Sequence, residues 1–128
     1  MVLAALVTTL VVAESATAHK RLYNASTTIS LNKIAGGDSI SGQLSSKGAC
    51  LGGRTVVVFE DVDTSVFGDV TEIGRTITNA TGAWSLAIPG GIKKGRTYYA
   101  SFSKRRLVNN RKHKHICKGA TSPTAVGA

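Results

Sequence analysis

Apolar and polar residues alternate along most of this chain with a period of two, the spacing of strands half-buried in a sheet, and no stretch after residue 18 sustains a helical period. Ile29 and Leu31 oppose Ser30 and Asn32. Ile40, Gly42 and Leu44 oppose Ser39, Ser41 and Gln43, and Tyr98, Ala100 and Phe102 oppose Tyr99, Ser101 and Ser103. The run Arg54 to Glu60 is densest in β-branched residues and too short for a buried helix, so Val56 and Val58 are predicted to point inward. Strands are predicted over 27–32, 39–44, 54–60, 73–78, 83–88, 97–107 and 113–118, separated by turns rich in Gly, Ser, Asn and Pro. Seven such strands predict an all-β fold: a single antiparallel Greek-key sandwich of immunoglobulin-like or prealbumin-like type.

The clearest local signal runs from Ile73 to Ile88. Asn79 and Gly82 stand at the first and fourth positions of a tight turn between two strand-like runs, which predicts a β-hairpin. Trp84, the single tryptophan, follows two residues later and is the predicted centre of the core, with Thr76, Thr78 and Leu86 beside it.

The N-terminal stretch reads differently. Met1 to Ala13 is apolar except for Thr8 and Thr9, and Ala16-Thr17-Ala18 is a small-x-small cleavage pattern, so residues 1–18 are predicted to be a secretory signal, here without a basic segment ahead of its apolar run. The run is too short to span a bilayer as a helix, and the mature chain offers no transmembrane segment. The expected organisation is a flexible mature N-terminus over 19–25, a β-sandwich domain over 26–118 and a disordered tail over 119–128, in a protein secreted to the extracellular space. The two cysteines, Cys50 and Cys117, fit export and are predicted to form a disulfide.

Charge changes the picture further. The formal net charge is +9, and all seven acidic residues lie at or before Glu72, whereas ten of the sixteen basic ones lie from Lys93 onward. Lys104, Arg105, Arg106, Arg111, Lys112, Lys114 and Lys118 crowd two predicted strands and their loop, and are the candidate polyanion-binding residues. The expected partner is an anionic cell-envelope or extracellular polymer, or else a protein. Specific nucleic-acid recognition is not expected, because Tyr99 alone offers a stacking ring among those strands.

The remaining chemistry is sparse. There is no Gly-x-Ser-x-Gly, no His-Glu-x-x-His and no phosphate-cradling glycine loop before a helix, so no catalytic residues are assigned and the chain is not expected to be an enzyme. Asp61, Asp63 and Asp69, with Glu60 and Glu72, do not follow the twelve-residue calcium-loop spacing. His113, His115 and Cys117 alternate along one run and fall short of a tetrahedral zinc set unless Cys50 joins them, so neither metal nor small-molecule cofactor is expected.

Several motifs in order carry a family resemblance: Gly42-Gln43-Leu44, Leu51-Gly52-Gly53-Arg54-Thr55-Val56, the Gly74 to Leu86 segment around Trp84, and Gly95 to Ala100 with Tyr98. Together they resemble the carboxypeptidase regulatory-like and related prealbumin-like or Cna-B-like sandwich domains of secreted and cell-surface proteins. The resemblance implies a β-sandwich serving as a structural spacer, adhesion domain or binding module. The C-terminal Tyr-Arg-Gly-Ser of transthyretin-like hydrolases is missing, since this chain ends Thr-Ala-Val-Gly-Ala. Lys33, Asn109 or Asn110, and Glu60 or Glu72 match an isopeptide set only formally.

Overall fold

The computed structural model describes residues 19–65, 67–109 and 112–128; the predicted signal segment and Arg111 lie outside them. The protein is all-β. Its strands are β1 (His19–Tyr23), β2 (Ser26–Thr27), β3 (Ser30–Asn32), β4 (Asp38–Ser45), β5 (Thr55–Asp61), β6 (Val70–Ile77), β7 (Ala83–Ile88), β8 (Thr97–Phe102), β9 (Arg105–Asn109), β10 (His113–Cys117), β11 (Ala120–Thr121) and β12 (Ala125–Val126), with one 3-10 turn at Gly48–Cys50.

The strands form three sheets. In the first, β4 is flanked by β2 and β3 on one side and by β7 on the other; in the second, β5 lies between β6 and β8, and β11 and β12 both pair with β8. The third is a small sheet in the order β1-β10-β9. Inward positions of β4, β5, β7 and β8 build one core, in which Ile40, Val56, Val58, Tyr98 and Ala100 are fully buried and Trp84 and Ile92 nearly so. Ile40, Val56, Val58, Tyr98 and Ala100 are positions that the alternation assigns inward, because period two commits every second side chain to one face; Ile92, from the turn-rich connection after β7, is not among them.

The core is tight where Trp84 meets β4. Gly42 pairs directly with Trp84, and a Cβ at position 42 would stand 2.5 Å from the indole and 2.2 Å from the Thr28 carbonyl oxygen. The indole Nε1 donates to Thr27 Oγ1 at 2.9 Å, so the one polar atom of the ring is satisfied inside the core.

The predicted hairpin is corrected. The turn forms as expected: Gly82 has φ +88°, and the Asn79 carboxamide oxygen accepts from the Thr81 and Ala83 amides, each at 3.0 Å. The strands on either side do not pair, however; β6 pairs with β5 and β7 with β4, so the turn carries the chain from one sheet to the other. Thr78 explains the crossing. Its amide donates to the Arg54 carbonyl and its hydroxyl accepts from the Arg54 amide, both at 2.9 Å, which keeps the end of β6 on β5 while Trp84 turns across the core.

Three further expectations change. The single strand predicted over 97–107 breaks at Ser103-Lys104, where the chain leaves β8 for β9 in another sheet. The predicted tail is not disordered. The edge of β8 away from β5 has open hydrogen-bonding groups, and β11 and β12 fill it, with Ser122 exchanging bonds of 2.8 Å with Ala100 through both backbone and hydroxyl. Nor are residues 19–23 loose, for β1 pairs in parallel with the open edge of β10.

Cys50 and Cys117 form the expected disulfide, with Cα atoms 5.6 Å apart across a sequence separation of 67 residues. The bond ties the last residue of β10 to the 3-10 turn and so anchors the third sheet to the body.

Candidate functional site

The third sheet carries most of the chemistry outside the core. In β10, alternation sends His113, His115 and Cys117 to one face and Lys114 and Ile116 to the other. Parallel pairing sets His19 beside His113, Lys20 beside Lys114 and Arg21 beside His115, while antiparallel pairing sets Arg106 beside Ile116. One face therefore presents the exposed Lys20, Lys114 and Arg106, and the opposite face gathers histidines.

The candidate basic residues divide between two surfaces. Arg106 and Lys114 belong to this outer face. Lys104 and Arg105 instead line a cleft of about 320 Å³ that also receives Arg54 and Arg75. Among the described residues no carboxylate lines that cleft. Arg54 is 2% exposed, and its guanidinium donates to the carbonyls of Cys50, Ser103 and Lys118 at 2.9, 2.7 and 3.2 Å, above the Phe102 ring. Arg105 donates to the Gly52 and Ala49 carbonyls at 2.7 and 3.0 Å. Neutral carbonyls satisfy the hydrogen bonds of these two groups without cancelling their charge, so the cleft floor stays cationic. Burial, followed by the nearby Arg105, draws the Arg54 guanidinium below its ordinary pKa. Arg75 differs, because the Glu72 carboxylate pairs with it.

Lys112 and Lys118 flank β10 and are exposed. The Lys112 carbonyl accepts from the His19 amide at 3.1 Å, and the Lys118 amide donates to the Tyr23 carbonyl at 2.9 Å, which fastens both ends of β1. Lys33 donates to the Ala128 carbonyl oxygen at 3.0 Å and Glu60 accepts from Arg96, while Asn110, one of the two formal isopeptide asparagines, lies outside the described residues.

Glu60 belongs to a polar cluster under the core. Its carboxylate accepts from Arg96 at 2.6 Å and from the Tyr98 hydroxyl at 2.9 Å, and that hydroxyl accepts from the Lys93 amide at 2.9 Å. Burial pushes the carboxyl pKa up, but the bonds from Arg96 and Tyr98 outweigh it and hold Glu60 below the ordinary carboxylate range. Both carboxylate oxygens of Glu60 and the Tyr98 hydroxyl are committed to bonds within the body, which suits stability rather than chemistry.

The histidine face is the feature that sequence reasoning missed. His113 Nδ1 lies 3.0 Å from His19 Nε2, and His19 Nε2 lies 3.2 Å from His115 Nε2. One potential ligand atom from each ring lies within 4.8 Å of the others. On its far side, His115 Nδ1 meets the Tyr23 hydroxyl at 3.4 Å, and the Tyr23 ring in turn carries the Lys47 ammonium 4.6 Å from its centroid. Partial desolvation, then the neighbouring His113, His115 and Arg21, hold the His19 imidazole below its ordinary pKa. His113 and His115 were visible as an alternating pair. His19, 94 residues from His113, fell in a segment predicted to be loose, and only parallel pairing of β1 with β10 delivers it.

Comparison with family models, curated proteins and solved structures gives no match for this chain.

Proposed function

We propose that this protein is an exported, non-catalytic β-sandwich module that binds anionic polymers of the cell envelope or extracellular matrix. We read its body as the seven-stranded Greek-key sandwich of carboxypeptidase regulatory-like domains, with β2 and β3 counted as one interrupted strand, β11 and β12 as another, and the β1-β10-β9 sheet as an addition. One observation carries the binding role: Arg54 and Arg105 are satisfied by carbonyl oxygens alone, in a cleft that no carboxylate lines among the described residues. Among the described residues neither guanidinium pairs with a carboxylate, and a sulfate, phosphate or carboxylate group on a polymer supplies a counter-charge. Lys104 at the cleft mouth and Lys20, Lys114 and Arg106 on the outer face extend the field beyond one anionic group.

Heparin and lipoteichoic acid columns at low salt test the reading. The protein should be retained, and its affinity should fall steeply and linearly with the logarithm of salt concentration as counterions are released. Replacing Lys104, Arg106 and Lys114 together by Ala should lower the elution salt and flatten that slope. Flow-through at low salt, or retention indifferent to salt, would refute the proposal.

A further inference from the structure

We propose that His19, His113 and His115 form a binding site for a borderline divalent transition-metal ion, Zn(II) or Cu(II). The argument is geometric. Imidazole nitrogens bind such ions at about 2.0–2.1 Å, which separates neighbouring nitrogens by about 3.3 Å in tetrahedral and about 2.9 Å in square-planar coordination. The His113–His19 and His19–His115 nitrogen separations are 3.0 and 3.2 Å, so His19 Nε2 already stands one polyhedral edge from each partner. The longest separation in the cluster, 4.8 Å, exceeds the span of two opposed ligands, about 4.1 Å, by an amount that side-chain rotation on the order of 0.5–1 Å removes.

The surroundings fit the same ion class. An all-imidazole set suits zinc and copper, whereas calcium and magnesium require oxygen ligands that this cluster does not contribute. Tyr23, at the far nitrogen of His115, holds the ring with Nε2 turned toward His19, the arrangement expected of a residue that orients a metal ligand from behind. Three protein nitrogens leave further coordination positions for water or for an anionic group. His19 is exposed and the other two are half-buried, so an ion can enter from solvent without displacing a strand.

Titration of the full chain with Zn(II), Cu(II) and Mg(II), followed by calorimetry and by imidazole nitrogen NMR shifts, tests the site. One equivalent of Zn(II) should bind and shift all three rings, one equivalent of Cu(II) should bind and broaden the signals of all three because the ion is paramagnetic, and Mg(II) should do nothing. His19→Ala and His115→Ala should each weaken binding at least tenfold, and Tyr23→Phe about tenfold, the scale of losing an orienting partner. Lys94→Ala, at an exposed loop position between β7 and β8, serves as a folded control with affinity unchanged. Binding weaker than about 1 mM, or unchanged in His19→Ala whose circular dichroism matches the parent, would overturn the proposal. So would ring shifts confined to one histidine.

Discussion

Trp84→Ala is the sharpest test of the core. The indole is 3% exposed and packs among Ile40, Val56, Val58, Tyr98 and Ala100, with Gly42 leaving the space that its six-membered ring fills. Truncating a buried Trp to Ala costs about 3–5 kcal/mol when the cavity cannot collapse. Collapse is resisted here, because both flanking sheets are held by continuous ladders on β4 and β5. A smaller loss adds to this: Thr27 Oγ1 loses the indole donor at 2.9 Å but keeps its own bond to the Thr28 carbonyl at 3.0 Å, so the increment is about 1 kcal/mol or less. With a urea slope of about 2 kcal/mol per molar, the midpoint should fall by roughly 1.5–2.5 M, followed by far-UV circular dichroism because the mutant has no tryptophan to report. Trp84→Phe should recover part of the loss. A loss under about 1 kcal/mol for Trp84→Ala, or water-exposed tryptophan emission from the native parent, would refute this account of the core.

Replacing Cys50 and Cys117 together by Ala should cost about 4 kcal/mol from the entropy of a loop spanning 67 residues, read from guanidinium midpoints; a change under 1 kcal/mol would contradict that accounting. Because the Glu60 pKa is depressed in the folded protein, its contribution to stability is present above the ordinary carboxylate value and lost as pH falls through the depressed one. Glu60→Gln should therefore lower stability by about 1–2 kcal/mol at neutral pH and flatten the acid limb of a stability–pH curve, whereas an unchanged limb would assign that limb to other carboxyls. Cleavage after Ala18 would leave His19 as the first residue, adding an α-amine that can close a six-membered chelate if the ring ligates through Nδ1, which lies 3.1 Å from His113 Nδ1, in place of Nε2. The chain beginning at His19 should then bind Cu(II) more tightly than one retaining preceding residues, and equal affinities would exclude the amine as a ligand.

The inward faces of β4, β5 and β8 were legible in the sequence because alternation is local: one residue's face fixes the next, and Ile40, Val58 and Tyr98 follow from that alone. Strand partners were not legible. The Asn79–Gly82 turn has the chemistry of a hairpin, and only the bonds between Thr78 and Arg54, set by a strand 24 residues away, reveal that it joins two sheets. The cationic segment was visible, but the division of its members was not. Arg105 turns toward the Ala49 and Gly52 carbonyls, in and just after a 3-10 turn that the sequence marks only as glycine-rich, and the sequence presents Arg54 as the start of a strand rather than as the floor of a cleft. His19 shows the limit most clearly, since its role depends on a parallel register across almost the whole chain.

The β1-β10-β9 sheet also explains why its chemistry takes the form of cross-links. It contributes little to the apolar core: Ile116 is buried, but Leu22, its registered neighbour on β1, is 51% exposed. Registered cations such as Lys20 and Lys114 repel across the sheet instead of stabilising it. A sheet so poor in burial needs other fastenings, and one lies at the Cys117 end of β10, where the disulfide meets the body. At the opposite end, His113 faces His19 across the same pair of strands. An ion held there would fasten β1 to β10 at the end the disulfide does not reach, and would lock the strand that presents Lys20 beside Lys114. On this view the two proposed ligands support each other. The metal fixes the register of the basic face, and an anionic polymer relieves the repulsion that this register creates.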